Sequence, residues 1–262
     1  MTTKLVVKKR GSLENDHLLV LHGWGMDSLI WKGIAKEFER HFYVIWVDLP
    51  GYGDNLTVKA NDLAEIIALI LPLITESSHI MGWSLGGLIA QEILRQQPQL
   101  IKRVVMIAST PSFSQSKQWS HAMPNKLLLR FSKGLLKDLQ GTIKRFIALQ
   151  FVQVKDSRQI QRALRKQILA NMADKNALKV GLNILQHQDF TGLKIDHPQL
   201  WLLGGKDRLV PIEIKNDLKL IHPNAIVEEI ADAGHAPFIT HSQQFLDLVI
   251  PFLMVKNKIR VP

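Results

Sequence analysis

The chain has 262 residues, 46% of them hydrophobic and 21% charged, which is typical of a folded globular protein built around one large domain. It contains no cysteine, which excludes disulfides, a thiolate nucleophile and cysteine-ligated metal sites. The N-terminal residues lack the apolar run of a signal peptide, and no stretch reaches the roughly 18 apolar residues of a membrane span. We therefore expect a cytoplasmic protein with no membrane partner.

Short apolar runs alternate with helical patterns along most of the chain. The runs predict buried strands, in chain order, at residues 18–21, 43–47, 79–81, 103–107, 200–203 and 225–230. An initial strand is expected at residues 4–8. Repeats at helical spacing predict helices at residues 31–40, 61–74, 85–97 and 212–221, with Asn61 and Pro211 as helix starters. This alternation predicts an α/β fold whose mostly parallel sheet is covered by helices on both faces, with the first strand at an edge.

The alternation stops after Pro111 and resumes at Gln199. Residues 115–190 read as helices without strand runs, and they hold fourteen Lys and Arg residues against four acidic ones, so they carry the whole net charge of +10. We predict an α/β core of residues 1–114 and 191–262 and a basic helical cap of residues 115–190. A field concentrated in one segment favours an acidic partner or substrate over a surface that only aids solubility.

The sequence Gly82-Trp83-Ser84-Leu85-Gly86 lies between a strand run and a helical pattern. A G-x-S-x-G sequence at such a junction is typical of a nucleophile elbow, a sharp turn that lifts the serine hydroxyl above the sheet. The helix N-terminus also favours developing negative charge beside that hydroxyl. Ser84 is therefore the expected nucleophile.

A serine hydroxyl needs a base, and folds with this elbow supply an acid and then a histidine later in the chain. Asp207 follows the predicted strand 200–203 through a glycine turn. It is favoured over Asp196, at the wrong end of that strand, and Asp217, on a polar helical face. His235 follows the last strand, where the order requires the base, whereas His241 is expected to begin the last helix. The predicted triad is Ser84, Asp207 and His235.

Two backbone N–H groups are expected to form the oxyanion hole. One belongs to Leu85, after the nucleophile, and the other to Trp24 in the glycine-rich loop after strand 18–21. His22 in that loop is expected to be structural, bonding to backbone. No metal or cofactor is predicted, because no carboxylate pair has suitable spacing and the glycines of residues 82–87 do not form G-x-G-x-x-G.

These segments together resemble the pimeloyl-acyl carrier protein methyl ester esterases of biotin synthesis, a family of α/β-hydrolases. The resemblance extends over nearly the whole chain and rests on five segments: Leu21-His22-Gly23-Trp24-Gly25, Val47-Asp48-Leu49-Pro50-Gly51, Gly82-Trp83-Ser84-Leu85-Gly86-Gly87-Leu88, Arg145-Phe146-x-Ala148-Leu149-Gln150 and His235-Ala236-Pro237-Phe238-Ile239. The first two segments occur broadly among α/β-hydrolases, and the last three are together much narrower.

The resemblance implies hydrolysis of the methyl ester of a pimeloyl chain on acyl carrier protein, through an acyl-enzyme on Ser84. It implies substrate-binding residues in the core and the cap: Trp24, Ser84, Leu85, Phe146, Ile147, Ala148, Leu149, Gln150 and His235. The basic cap would complement the acidic carrier protein. The implied docking residues are Lys144, Arg145, Arg158 and Arg162, with Lys144 as a substitute for a family arginine that is Gly141 here.

Other functions remain open from the residues alone. A broad carboxylesterase of small free esters would have the same triad, and only the cap separates the two. A lyase of menaquinone synthesis also shares the triad, but its bulky anionic substrate would want basic groups inside the pocket. An intact triad disfavours a hydrolase-fold receptor without turnover. Sparse aromatic residues among the basic ones disfavour nucleic-acid binding. We expect a monomer.

Overall fold

A seven-stranded sheet forms the centre of the protein in this computed structural model, which describes residues 4–255. The strands are β1 Val7–Arg10, β2 His17–Leu21, β3 Tyr43–Val47, β4 Ser78–Trp83, β5 Ile101–Ile107, β6 Gln199–Gly204 and β7 Ile226–Ile230. Their spatial order is β1-β3-β2-β4-β5-β6-β7, and every pair is parallel except β1 with β3. The predicted mostly parallel sheet, with the first strand at an edge, is confirmed.

Ten helices are described, and they cover both faces of the sheet. They are α1 Ala35–His41, α2 Leu63–Ile70, α3 Leu85–Gln96, α4 Asn125–Lys137, α5 Leu139–Leu149, α6 Arg158–Ala170, α7 Lys175–His187, α8 Ile214–Ile221, α9 Pro237–Thr240 and α10 Ser242–Met254. Strands β4 and β6 are buried along their whole length, as expected for central parallel strands covered on both sides. None of these helices combines the length and apolar character needed to cross a membrane.

Several predicted element starts differ from those of the structure. The helix expected from residue 31 begins at Ala35, because the Asp27 carboxylate accepts the Leu29 N–H and holds residues 28–31 in a 3-10 turn. Asp62, rather than Asn61, caps α2 by accepting the Glu65 N–H at 2.8 Å.

Helix α8 begins at Ile214, so Pro211 lies in the turn before the helix and does not start it. At the N-terminus, β1 begins at Val7 rather than at residue 4, since residues 4–6 precede its pairing with β3.

Helices α4 to α7 lie between β5 and β6 in the chain, where the sequence pattern predicts a cap. They are joined to the core by hydrogen bonds, including one from Trp24 Nε1 to the Leu178 carbonyl (2.8 Å) and one from the Asp174 N–H to the Gly51 carbonyl (2.8 Å). The boundaries at residues 115 and 190 stay a prediction, and residues 256–262 of the predicted core lie outside the described residues.

Candidate active site

Ser84 stands at the turn between β4 and α3 in a backbone conformation that few residues adopt. Its φ is 55° and its ψ is −116°, a strained geometry that costs about 1–3 kcal/mol. The surrounding chain holds it: the Ser84 N–H donates to the Ile107 carbonyl, and Ser109 Oγ donates to the Ser84 carbonyl, both at 2.9 Å. A Cβ on Gly82 would collide with the Gly86 carbonyl oxygen, so the tight turn requires glycine there.

The three predicted triad residues meet in one hydrogen-bonded chain. Ser84 Oγ lies 2.9 Å from His235 Nε2, and His235 Nδ1 lies 2.7 Å from Asp207 Oδ2. With the proton on Nδ1, the imidazole donates to Asp207 and accepts from the Ser84 hydroxyl. All three side chains are buried, so this polar chain is shielded from bulk water. The arrangement suits removal of the Ser84 proton by His235.

Asp207 is held by the turn that follows β6. Its other oxygen, Oδ1, accepts the N–H groups of Leu209 (2.7 Å) and Val210 (3.1 Å). These bonds fix the carboxylate plane and leave Oδ2 directed at the imidazole. The competing acids lie elsewhere: Asp196 is exposed before β6, and Asp217 contacts the exposed His121 at 2.7 Å.

The loop after β2 is organised by His22. Its Nδ1 bonds to the Gly23 carbonyl (2.8 Å), and its Nε2 accepts the Leu49 N–H (3.0 Å). Complete burial lowers the pKa of His22, which keeps the ring neutral. These contacts are those of a histidine that supports the loop carrying Trp24.

Helix α7 covers both residues of the expected oxyanion hole. A Cβ on Gly181 would lie 2.7 Å from Trp24 Cδ1 and 3.2 Å from Leu85 Cδ2. Trp24 and Leu85 are therefore neighbours beneath one glycine of the helix. The assignment of their N–H groups to an oxyanion stays a prediction.

Trp83 connects two loops of the site, a role that the sequence pattern does not predict. Its indole Nε1 donates to the backbone carbonyl of His235 at 2.7 Å. Its ring packs against Gly23, where a Cβ would lie 3.0 Å from Cε3. The tryptophan is visible inside the G-x-S-x-G motif, but its partner lies 152 positions away, so no local signal reveals the bond.

The cap segment expected to bind substrate lies against the site. Phe146 packs edge-on against Trp24 with ring centroids 4.7 Å apart. Phe146, Ile147 and Gln150 are buried, and Ala148 and Leu149 are half-buried. The Gln150 carbonyl accepts the His235 N–H at 3.0 Å. Among residues 4–255 the buried Gln150 side-chain amide has no hydrogen-bond partner.

The four implied docking residues are all exposed on α5 and α6: Lys144, Arg145, Arg158 and Arg162. Arg145 donates to Thr142 Oγ1 at 3.0 Å and lies 3.6 Å from the Asp138 carboxylate. Asp138 caps α5 by accepting the Gly141 N–H at 2.8 Å, and its carboxylate fills the space that a Cβ on Gly141 would need. The cap at Asp138 therefore accounts for glycine at position 141.

No group of three or more His, Asp and Glu side chains within residues 4–255 has an arrangement that could hold a metal ion.

Comparison with known proteins places this geometry in a family. The family model for the alpha/beta hydrolase fold matches residues 16–242. A pimeloyl-acyl carrier protein methyl ester esterase from Pseudoalteromonas atlantica is 38% identical over 257 residues, covering 94% of this chain and 96% of the relative. A protein of the same name from Vibrio parahaemolyticus is 36% identical over 238 residues, covering 90% of this chain and 93% of the relative.

Solved structures show the same fold at lower identity. An esterase from Exiguobacterium antarcticum superposes with a TM-score of 0.85 at 19% identity, covering 96% of each chain. A hydrolase from Oleispira antarctica gives a TM-score of 0.86 at 21% identity, covering 97% of this chain and 96% of the other. The chain therefore belongs to the pimeloyl-acyl carrier protein methyl ester esterases, a family of carboxylic ester hydrolases with the α/β-hydrolase fold.

Proposed function

We propose that this protein hydrolyses the methyl ester of a pimeloyl chain carried on acyl carrier protein, and so releases methanol and the free pimeloyl carboxylate for biotin synthesis. The observation that carries the proposal is the buried hydrogen-bonded chain from Ser84 through His235 to Asp207. It occurs in a chain 38% identical to an enzyme of that name. Ser84, His235 and Asp207 are the proposed nucleophile, base and orienting acid.

In the first half of the reaction, Ser84 Oγ attacks the methyl ester carbonyl while His235 Nε2 takes the hydroxyl proton. The carbonyl electron pair moves onto oxygen, where the N–H groups of Trp24 and Leu85 stabilise the negative charge. When the tetrahedral intermediate collapses, the bond to the methoxy oxygen breaks and His235 returns the proton to it. Methanol leaves, and the pimeloyl chain is esterified to Ser84. Asp207 stabilises the imidazolium throughout.

In the second half, water replaces methanol. His235 takes a proton from the water as its oxygen attacks the acyl carbonyl, and the same two N–H groups receive the oxyanion. Collapse breaks the bond to Ser84 Oγ, and His235 protonates the serine. The product is the free carboxylic acid, which ionises at neutral pH.

The cap supplies the proposed pocket and docking face. Phe146 to Gln150 lie beside Trp24 and His235, and the unpartnered Gln150 amide is proposed to bond to an oxygen of the substrate. Outside, the exposed Lys144, Arg158 and Arg162 carry a positive field that would attract an acidic carrier protein. We place the reaction in the cytoplasm and propose that the protein acts as a monomer.

The test measures formation of free acid from the pimeloyl-acyl carrier protein methyl ester, with the free methyl ester of a short acid as the competing substrate. Ser84→Ala is the control for the nucleophile. We expect Ser84-dependent cleavage that strongly prefers the carrier-bound ester and weakens as salt screens the docking charges. Equal cleavage of both esters, or cleavage of the free ester alone, would instead support a broad carboxylesterase.

A further inference from the structure

A surface groove of about 630 Å3 runs between α4 and α5 of the cap. Each helix contributes apolar side chains and one arginine to its lining: Leu127, Phe131 and Arg130 from α4, and Ala148, Leu149 and Arg145 from α5. The apolar lining suits a chain-like ligand, whereas two guanidinium groups on opposite walls suit an anion.

The groove lies one layer of aromatic rings away from the candidate active site. Phe131 in its lining contacts Phe146 with ring centroids 5.6 Å apart, and Phe131 lies 6.3 Å from Trp24. Trp24 belongs to the loop beside Ser84. A ligand that fills the groove is therefore separated from Trp24 by the rings of Phe131 and Phe146.

Arg130 differs from Arg145 in its bonding. Arg145 is tethered to Thr142 and lies near Asp138. Within residues 4–255, Arg130 makes no hydrogen bond or ion pair, and no acidic side chain lines the groove. Its charge is therefore available to a ligand. A guanidinium binds a phosphate through paired N–H donors, which gives both geometry and strength to the contact.

We propose that this groove binds the prosthetic arm of the acyl carrier, with Arg130 as the ligand of the arm's phosphodiester. The apolar walls would cover the pantetheine portion and direct the acyl chain towards the rings of Phe131 and Phe146. Arg145 supports the same phosphate from the opposite wall. The inference rests on the proposed function for its choice of anion, and it assigns to Arg130 a contact with the arm rather than with the carrier's protein surface.

The decisive experiment removes the carrier protein and retains its arm. One carboxyl group of the pimeloyl chain carries the methyl ester, and the other is linked as a thioester to 4′-phosphopantetheine or to pantetheine. The two substrates differ only in the phosphate. KM and kcat for ester cleavage are measured for the wild type, Arg130→Ala and Lys133→Ala. Lys133 is the matched control because it is exposed on the same helix and lies outside the groove lining.

We expect Arg130→Ala to raise KM about fivefold to tenfold for the phosphopantetheine substrate, with kcat and the KM for the pantetheine substrate unchanged. Lys133→Ala should leave both KM values near those of the wild type. An equal change with both substrates, or no change with either, would overturn the assignment of Arg130 to the phosphate.

The proposed function can fail separately. The carrier-bound ester tests that function: if the wild type does not cleave it, the proposed function is wrong, and inhibition of free ester hydrolysis by 4′-phosphopantetheine then tests the groove directly. Arg130-dependent inhibition that pantetheine does not produce would support the phosphate contact. Equal inhibition by 4′-phosphopantetheine and pantetheine would contradict it.

Discussion

At the scale of single residues, the site depends on contacts that hold the reacting groups still. Ser84 keeps a strained φ because two hydrogen bonds fix its backbone, and Asp207 keeps its orientation because two N–H groups bind Oδ1. Trp83 adds a bond to the backbone of His235. Preorganisation of this kind places the proposed nucleophile, base and acid before substrate arrives.

Replacement of Asp207 by Asn should separate orientation from structure. The amide oxygen can still accept the N–H groups of Leu209 and Val210. The uncharged amide cannot stabilise an imidazolium, and its NH2 group cannot accept the Nδ1 proton of His235. We expect kcat to fall by about 10⁴-fold with little loss of stability. The measurement is kcat on a free methyl ester together with the melting temperature. A loss of activity below tenfold would show that Asp207 is not the orienting acid.

Trp83→Phe tests whether the indole positions the base. The change removes the donor to the His235 carbonyl, and we expect a roughly fivefold decrease in kcat with KM nearly constant. Trp31→Phe is the control, because the ring centroids of Trp31 and Trp83 are 6.2 Å apart and Trp31 Nε1 has no hydrogen-bond partner within residues 4–255. Similar kinetics for the two variants would show that Trp83 acts only through packing.

At the scale of elements, the sequence predicts most of the sheet because central parallel strands are continuous apolar runs bounded by turns. It also locates Ser84, Asp207 and His235, because each follows a strand and their order along the chain is characteristic. Helix starts are less predictable: α1 begins four residues late because the Asp27 side chain stabilises a 3-10 turn first. The contact between α7 and Trp24 joins distant parts of the chain, so periodicity carries no sign of it.

Gly181→Ala tests that contact. The added Cβ would lie 2.7 Å from Trp24 Cδ1, so either α7 or the Trp24 loop must shift. Because small displacements of an oxyanion donor are costly, we expect kcat/KM to fall at least tenfold. Gly192→Ala is the matched control, since its Cβ would meet no atom within 4 Å. Unchanged turnover in Gly181→Ala would show that Trp24 does not need its present position.

At the scale of the whole molecule, three buried histidines lie outside the proposed proton-transfer chain. Burial lowers the pKa values of His22, His79 and His222, so each is favoured in its neutral form when the protein is folded. In the unfolded chain the same groups take up protons near pH 6.5. Acid therefore favours unfolding through sites that the proposed reaction does not titrate.

For His79 the pH window can be stated. Burial lowers its pKa to about 4, despite the nearby Asp16 carboxylate, which raises it; Lys102 and Arg103 lower it further. The unfolded state thus binds more protons between pH 6.5 and 4, and stability should fall by about 3 kcal/mol as pH drops through that range. Urea unfolding at several pH values should give a shallower pH dependence for His79→Leu. The exposed His187→Leu should match the wild type, and a wild-type slope in His79→Leu would contradict the prediction.

The bond from the His235 N–H to the Gln150 carbonyl limits how freely this enzyme can be remodelled. It joins the first residue of the α5–α6 connection to the loop that carries His235, the proposed base. A cap taken from another hydrolase would have to bring a carbonyl to the same point, or His235 would lose this backbone hydrogen bond. Substrate range and turnover are therefore coupled in this protein, because a cap that is changed to accept another substrate also changes the support of His235.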